Sequence, residues 1–178
     1  LKNALYELEE NQKISKLIID VRDNPGGELR SVINCLELFI PKGKVLVKFE
    51  YKNEKSNYEI KSEAPFKKAP KRKIVVLANN DSASAAELFA GAMKHHKIAT
   101  VVGQRTFGKG SMQEMLGLIN PAGFELGDVK LTMAEFKSPD GGKINGVGIE
   151  PDVPVRNKWI DYDESALKNK INETHDLR

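Results

Sequence analysis

Apolar positions along the chain follow two periods, and each change of period marks an element. Lys2 to Gln12 reads as a helix. Leu17 to Val21 is a short β-branched run that stops at Asn24-Pro25-Gly26-Gly27, turn residues that cannot continue a strand. From Glu28 to Ile40, apolar residues at 29, 32, 33, 36, 39 and 40 recur at helical spacing until Pro41 and Gly43 end the pattern. Val45 to Tyr51 and Tyr58 to Ile60 read as strands around the polar turn Asn53 to Asn57. Lys67 to Lys73 is a basic, Pro-containing linker.

Ile74 to Ala78 is a buried-looking strand leading through Asn79-Asn80-Asp81 into a helix over Ser84 to Lys94, whose apolar face is Ala85, Leu88, Phe89, Ala92 and Met93. Ile98 to Val102 is the next strand, closed by Gly103. Strand, helix, strand, helix, strand at these lengths predicts an α/β fold, a parallel or mixed sheet covered by helices. After Gly110 the helical signal fades. Met112 to Ile119, Phe124 to Leu126 and Lys130 to Phe136 read as extended, and Asp163 to Leu177 as a polar helical tail.

The 178 residues suit one domain with a single core. A balance of 28 basic against 25 acidic residues, spread along the chain and without stacking aromatics, argues against a nucleic-acid partner. No apolar run approaches the roughly 18 residues that span a bilayer. The single cysteine, Cys35, excludes an internal disulfide and a cysteine-built zinc site, and reads as a core residue. The chain begins at Leu1 without Met or a leader, so it reads as a piece of a longer protein and says nothing of targeting.

Three segments combine a strand end, glycines and a polar side chain, which is where open α/β sheets expose reactive groups. At Asn24-Pro25-Gly26-Gly27, glycines before a helix leave backbone N–H groups that can face a developing oxyanion or simply form a loop. At Ser82-Ala83-Ser84-Ala85-Ala86-Glu87, a serine on a strand-to-helix turn projects its hydroxyl over the sheet edge, beside the free N–H of the next residue. Ser84-x-x-Glu87 is equally a capping box, in which the serine only satisfies helix N–H groups.

A serine nucleophile needs a base. His95 and His96 stand eleven and twelve residues down the helix of Ser84, roughly 16 Å or more along its axis, and His175 lies in the polar tail. The third segment, Gly103 to Ser111, nearly spells a phosphate-binding loop, but Gly110 occupies the place of the metal-binding hydroxyl and no confident helix follows. Lys109 within it can instead serve as a general base, a task that desolvation permits by bringing a lysine from about 10.4 toward 7 to 8.

Together these segments resemble the carboxyl-terminal processing proteases, the S41-type Ser-Lys endopeptidases built on a fold related to ClpP and crotonase. The strand-Asn-Pro-Gly-Gly element matches residues 17–27, the Ser-Ala-Ser-Ala-x-Glu turn Ser82 to Glu87, and the Gly-x-x-Thr-Phe-Gly-Lys-Gly-Ser-x-Gln segment Gly103 to Gln113. Leu131-Thr132, Ser138 to Gly141 and Gly146 to Asp152 resemble strands that close the family's core. The motifs run in order over about residues 3–155, far more specific than any one of them.

The resemblance implies Ser84 as nucleophile, Lys109 as base, Gln113 as the residue orienting the lysine, and an oxyanion hole of the Ala85 N–H with that of Gly26 or Gly27. It implies a protein or peptide substrate, no metal or other cofactor, a PDZ domain in the full-length protein and an extracytoplasmic location. Residues 1–158 would form the catalytic core, incomplete at its N-terminal side, and 159–178 the tail. Edge strands left by the missing segment point to self-association. The rival reading is a non-proteolytic peptide-binding or scaffold module on the same fold, with Ser84 as a cap. A more remote one is a nucleotide binder at Gly103 to Ser111.

Overall fold

A computed structural model describes residues 1–12, 14–65 and 72–155. The expected tail and the 158/159 boundary lie outside the described residues, as does most of the Lys67 to Lys73 linker. The elements in chain order are α1 (Lys2–Gln12), β1 (Lys16–Asp20), α2 (Leu29–Leu36), β2 (Val45–Tyr51), β3 (Tyr58–Lys61), β4 (Lys73–Ala78), α3 (Ala85–His95), β5 (Ala99–Gly103), β6 (Ser111–Ile119), β7 (Glu125–Lys137) and β8 (Val153–Pro154).

The α/β reading with parallel and antiparallel strands holds, and the strands divide between two sheets. β1-β4-β5-β8 is wholly parallel, and β3-β2-β7-β6 is antiparallel. The crossover from β4 to β5 is α3, which touches β5 of the first sheet, β2 of the second, and α2. Contact on several sides explains why Ala86 through Met93 are all buried, where the sequence pattern suggested a single apolar face. The core between these layers contains Leu36, Phe39, Ile40, Leu46, Phe49, Val76, Met93 and Val101, with Phe39 edge-on to Phe89 at 6.2 Å. Burying each such side chain contributes about 1.5–3 kcal/mol.

Three boundaries differ from expectation for local reasons. α2 ends at Leu36 because Glu37 caps it, after which Phe39 N–H bonds the Leu36 carbonyl in a tighter turn. The apolar rhythm therefore runs to Ile40 although the helix does not. Glu125, Leu126 and Lys130 to Phe136 belong to one thirteen-residue strand, with Phe124 just outside it, because β6 pairs along nearly all of it, from Glu125 to Glu135. Gly146 to Asp152 forms no strand: the Gly146 and Ile149 amides bond the loop after β5, those of Val147 and Gly148 bond the Ile144 carbonyl, and strand pairing with β5 is confined to Val153–Pro154. Among the described residues no helix is long and apolar enough to cross a membrane.

Candidate active site

The loops that follow β1, β4 and β5 meet at the carboxyl ends of three neighbouring parallel strands. Ser82 joins the first two. Fully buried, it donates to the Val21 carbonyl at 2.7 Å and accepts from the Asn79 N–H at 3.0 Å. On either side of it, Ala83 N–H bonds the Asn24 carbonyl at 2.9 Å and Phe107 N–H bonds the Ser82 carbonyl at 3.0 Å. Ser82 is thus consumed by structure, which leaves Ser84 as the serine of this turn with chemistry to offer.

Ser84 sits at φ 55°, ψ −118°, a conformation L-residues rarely adopt. Gly26 comes close beside it: a Cβ there would lie 2.7 Å from Ser84 Cβ and 2.9 Å from the Ala85 nitrogen. With φ of +106°, Gly26 is a position only glycine occupies without strain. The Ser84–Glu87 pair has the capping-box arrangement, but only half of it reaches full hydrogen-bond geometry. Glu87 accepts from the Ser84 N–H at 2.9 Å, while the Ser84 hydroxyl makes no cap bond and the Glu87 N–H goes to the Ser84 carbonyl at 2.9 Å.

Glu87 does much more than cap. Its carboxylate is completely buried and accepts four bonds: Thr106 Oγ1 at 2.5 Å and Gly108 N–H at 2.7 Å on Oε1, Ser84 N–H at 2.9 Å and Lys109 N–H at 2.7 Å on Oε2. A single oxygen therefore fixes the backbone amides of Ser84 and Lys109 together. Thr106 Oγ1 in turn accepts from the Ile149 N–H at 2.7 Å, and Gly146 N–H bonds the Gly108 carbonyl at 2.8 Å, so the segment before β8 clamps the lysine loop from outside.

This network decides against the nucleotide reading. Gly103 to Gly110 runs into strand β6 rather than a helix, and the amides of Gly108 and Lys109 already cradle a carboxylate where a phosphate would sit.

Of the predicted residues, Gly27, Ser84, Ala85, Lys109 and Gln113 line one cleft of about 400 Å³, and Gly26 does not. Lys109 is half-buried, and among the described residues its ammonium has no hydrogen-bond or ion-pair partner. Gln113 reaches the cleft because β6 bulges between Met112 and Gln113, but its amide donates to Thr132 Oγ1 at 3.4 Å rather than to Lys109. Of the two glycines, Gly26 spends its N–H on Asn24 Oδ1 at 2.9 Å; the N–H groups of Gly27 and Ala85 donate to no protein group among the described residues. His96 is occupied with the Val45 carbonyl at 2.7 Å at the far end of α3, and burial holds its imidazole below the ordinary range. Arg22 grips Asp20 with Nε and a terminal nitrogen, which holds that carboxyl low. Among the described residues no cluster of His, Cys, Asp and Glu could hold a metal.

Fold and site together place the molecule among α/β proteins that carry reactive groups on loops at the carboxyl ends of parallel strands. The chain belongs to peptidase family S41, whose sequence model matches residues 1–155. It is 38% identical over 158 residues to a probable CtpA-like serine protease of Staphylococcus epidermidis, covering 87% of this chain and 30% of that protein. It is 36% identical over 183 residues to a carboxy-terminal-processing protease of Bartonella bacilliformis, covering 96% and 40%. Among solved structures, a photosystem II D1 C-terminal processing protease superposes with a TM-score of 0.75 at 28% identity, over 94% of this chain and 41% of that one. The chain thus spans less than half the length of these relatives.

Proposed function

We propose that this chain is the catalytic core of a serine endopeptidase that cuts protein substrates near their C-termini, with Ser84 as nucleophile and Lys109 as base. The observation that carries the reading is the shared Glu87 oxygen, which binds the backbones of both residues at the wall of one cleft. The Lys109 amine takes the Ser84 proton as Oγ attacks the peptide carbonyl carbon. The N–H groups of Gly27 and Ala85 then stabilise the tetrahedral oxyanion. Gly26 allows the close approach of this turn to Ser84 rather than donating itself.

The proton passes from Lys109 to the departing amine, and water activated by the same lysine releases the acyl group from Ser84. Gln113 completes the set as the residue that orients Lys109, its amide exchanging Thr132 for the lysine. The same resemblance supports a substrate-capturing PDZ domain in the longer protein, self-association and an extracytoplasmic location.

The scaffold alternative has Ser84 as a helix cap, and the Ser84–Glu87 capping box is present, so the reactivity of the Ser84 hydroxyl separates the two readings. A fluorophosphonate probe and a peptide substrate test the proposal together. Wild type should be labelled at Ser84 and should hydrolyse the peptide. Ser84→Ala should abolish labelling, and Lys109→Ala should lower hydrolysis by a factor of about a hundred or more with the fold intact. Equal rates in wild type and a folded Lys109→Ala variant would sink the mechanism.

A further inference from the structure

Three ionisable side chains line the cleft that holds Ser84: Glu28, Lys109 and Lys130. Glu28 accepts from the Ser31 hydroxyl at 2.9 Å, and Lys109 is used by the proposed mechanism. Lys130 has no role yet. It is exposed, and among the described residues its ammonium makes no hydrogen bond or ion pair. Asp128, two positions before it on the same face of β7, does not pair with it.

Strand register fixes where this cation stands. Thr132, whose hydroxyl accepts from the Gln113 amide at 3.4 Å, is opposite Gln113, and Lys130 is opposite Met115. Alternation puts Lys130 on the face that carries Thr132 and Gln113. Lys130 is therefore the diagonal neighbour of Gln113, about 7–8 Å from it, and lies farther out than Gln113 from the base of the hairpin, where Phe136 N–H bonds the Gly110 carbonyl.

We infer that Lys130 binds a carboxylate on the leaving half of the substrate, about two to four residues beyond the scissile bond, and so favours acidic leaving segments. The inference rests on the proposed function. Lys109 has to face the departing amine to protonate it, and Gln113 is the residue assigned to orient Lys109. An extended peptide that runs from Lys109 past Gln113 advances about 3.3 Å per residue, so it comes level with Lys130 after about two to four residues. An aspartate or glutamate side chain supplies the carboxylate, and so does the free end of a short leaving segment. A substrate lysine at that level meets a like charge. Because the ammonium stands in water, the preference is about three- to tenfold in kcat/KM and weakens with salt.

Kinetics on the whole chain test this. In one series, a quenched fluorescent peptide cut at a single bond carries aspartate, asparagine or lysine in turn at the second, third or fourth residue after that bond. Asparagine matches aspartate in shape, so the ratio of their kcat/KM values isolates the charge. In a second series the peptide ends at those positions as a free acid or an amide. The acid is expected to lead by about fivefold in at least one series, with lysine slowest in the first. A lead in the first series identifies a side-chain carboxylate, and a lead confined to the second identifies the terminal one. Raising NaCl from about 50 mM to about 500 mM should bring the ratio close to one. Lys130→Gln should bring it close to one at low salt, and Lys130→Glu should invert it in favour of lysine. The salt dependence of wild type stands even where a variant does not fold.

Ratios near one in both series, a lead that salt does not reduce, or a lead that persists in a folded Lys130→Glu variant overturns the inference. Fluorophosphonate labelling separates the two possible failures. With Ser84 labelled and peptide cut, only the Lys130 assignment falls. With Ser84 unreactive and no peptide cut, the nucleophile assignment falls and takes Lys130 with it.

Discussion

The loop knot at the ends of β1, β4 and β5 and the β6–β7 hairpin stand at opposite extremes of the same molecule. In the knot, polar groups are buried and partnered, and Ser82, Glu87 and Thr106 are each at most 4% exposed. Along the hairpin, apolar groups face solvent: Ile119, Phe124 and Leu126 are each 66% exposed or more. A buried polar network must be complete to be tolerated, so it fixes one geometry. A two-stranded ribbon with little packed against it carries no such constraint. The proposed site is therefore held by the interior of the α/β layers, and the arm reaching out from it contributes Ser111 to Gln113 to the cleft at its base.

Glu87 is where this contrast breaks most severely. Glu87→Ala leaves the Ser84, Gly108 and Lys109 amides and the Thr106 hydroxyl without their buried acceptor. The expected loss of stability is about 3 kcal/mol or more, read from denaturant unfolding. Glu87→Gln keeps the shape but puts an NH₂ where two donors point, so hydrolysis should fall by at least about tenfold even where the fold survives. A Glu87→Gln enzyme of wild-type kcat would show that the shared carboxylate does not set the spacing of Ser84 and Lys109.

The two adjacent glycines give the next effect. Gly26→Ala meets Ser84 Cβ at 2.7 Å and demands a positive φ from alanine, so a loss of about 1–3 kcal/mol and of most hydrolysis is expected. Gly27→Ala finds nothing within 4 Å, and its unfolding midpoint should stay near wild type. Unfolding curves of the two variants that coincide would contradict the close approach of Gly26 to the serine turn.

The same contrast explains what was legible in the sequence. Val45 to Tyr51 and the presence of the α3 helix could be read directly from their apolar patterns, although burial of α3 on several sides could not. Ser84, Lys109 and the glycines stood out as candidates because each lies on a glycine-containing turn or loop at a strand end, and their roles came from the family resemblance. Glu87 was visible only as a cap, although it is the sole charged residue from Ala83 to Met93, and an isolated carboxylate in so apolar a stretch was the available signal. Local rules could not reveal its partners, which lie nineteen to twenty-two residues on. The division into two sheets and the unbroken β7 were hidden for a related reason: strand pairing is a long-range choice that Gly127 and Asp128 do not announce.

A weaker, pH-dependent effect is expected at the far end of α3. Burial lowers the His96 imidazole below its usual 6.5. The unfolded chain therefore takes up a proton first as pH falls, so this contribution is complete above about pH 6.5 and is lost as pH drops toward the depressed folded value. His96→Gln should flatten that part of the curve of unfolding midpoint against pH. An unchanged curve would mean that the Val45 contact holds the ring equally well in its charged form.

The smallest expected change in stability lies in the arm. On one face of the hairpin, Leu116 stands opposite Val129 and Glu114 opposite Leu131, with little packed above them. At the tip, Phe124→Ser together with Leu126→Ser removes two exposed side chains that touch none of the core, so the unfolding free energy should move by no more than about 0.5 kcal/mol. Solubility should rise, because exposed apolar surface beside the unpaired edge of β6 favours association. A loss of 2 kcal/mol or so would mean that the tip is packed against other parts of the chain and that the division into a rigid knot and a free arm is wrong.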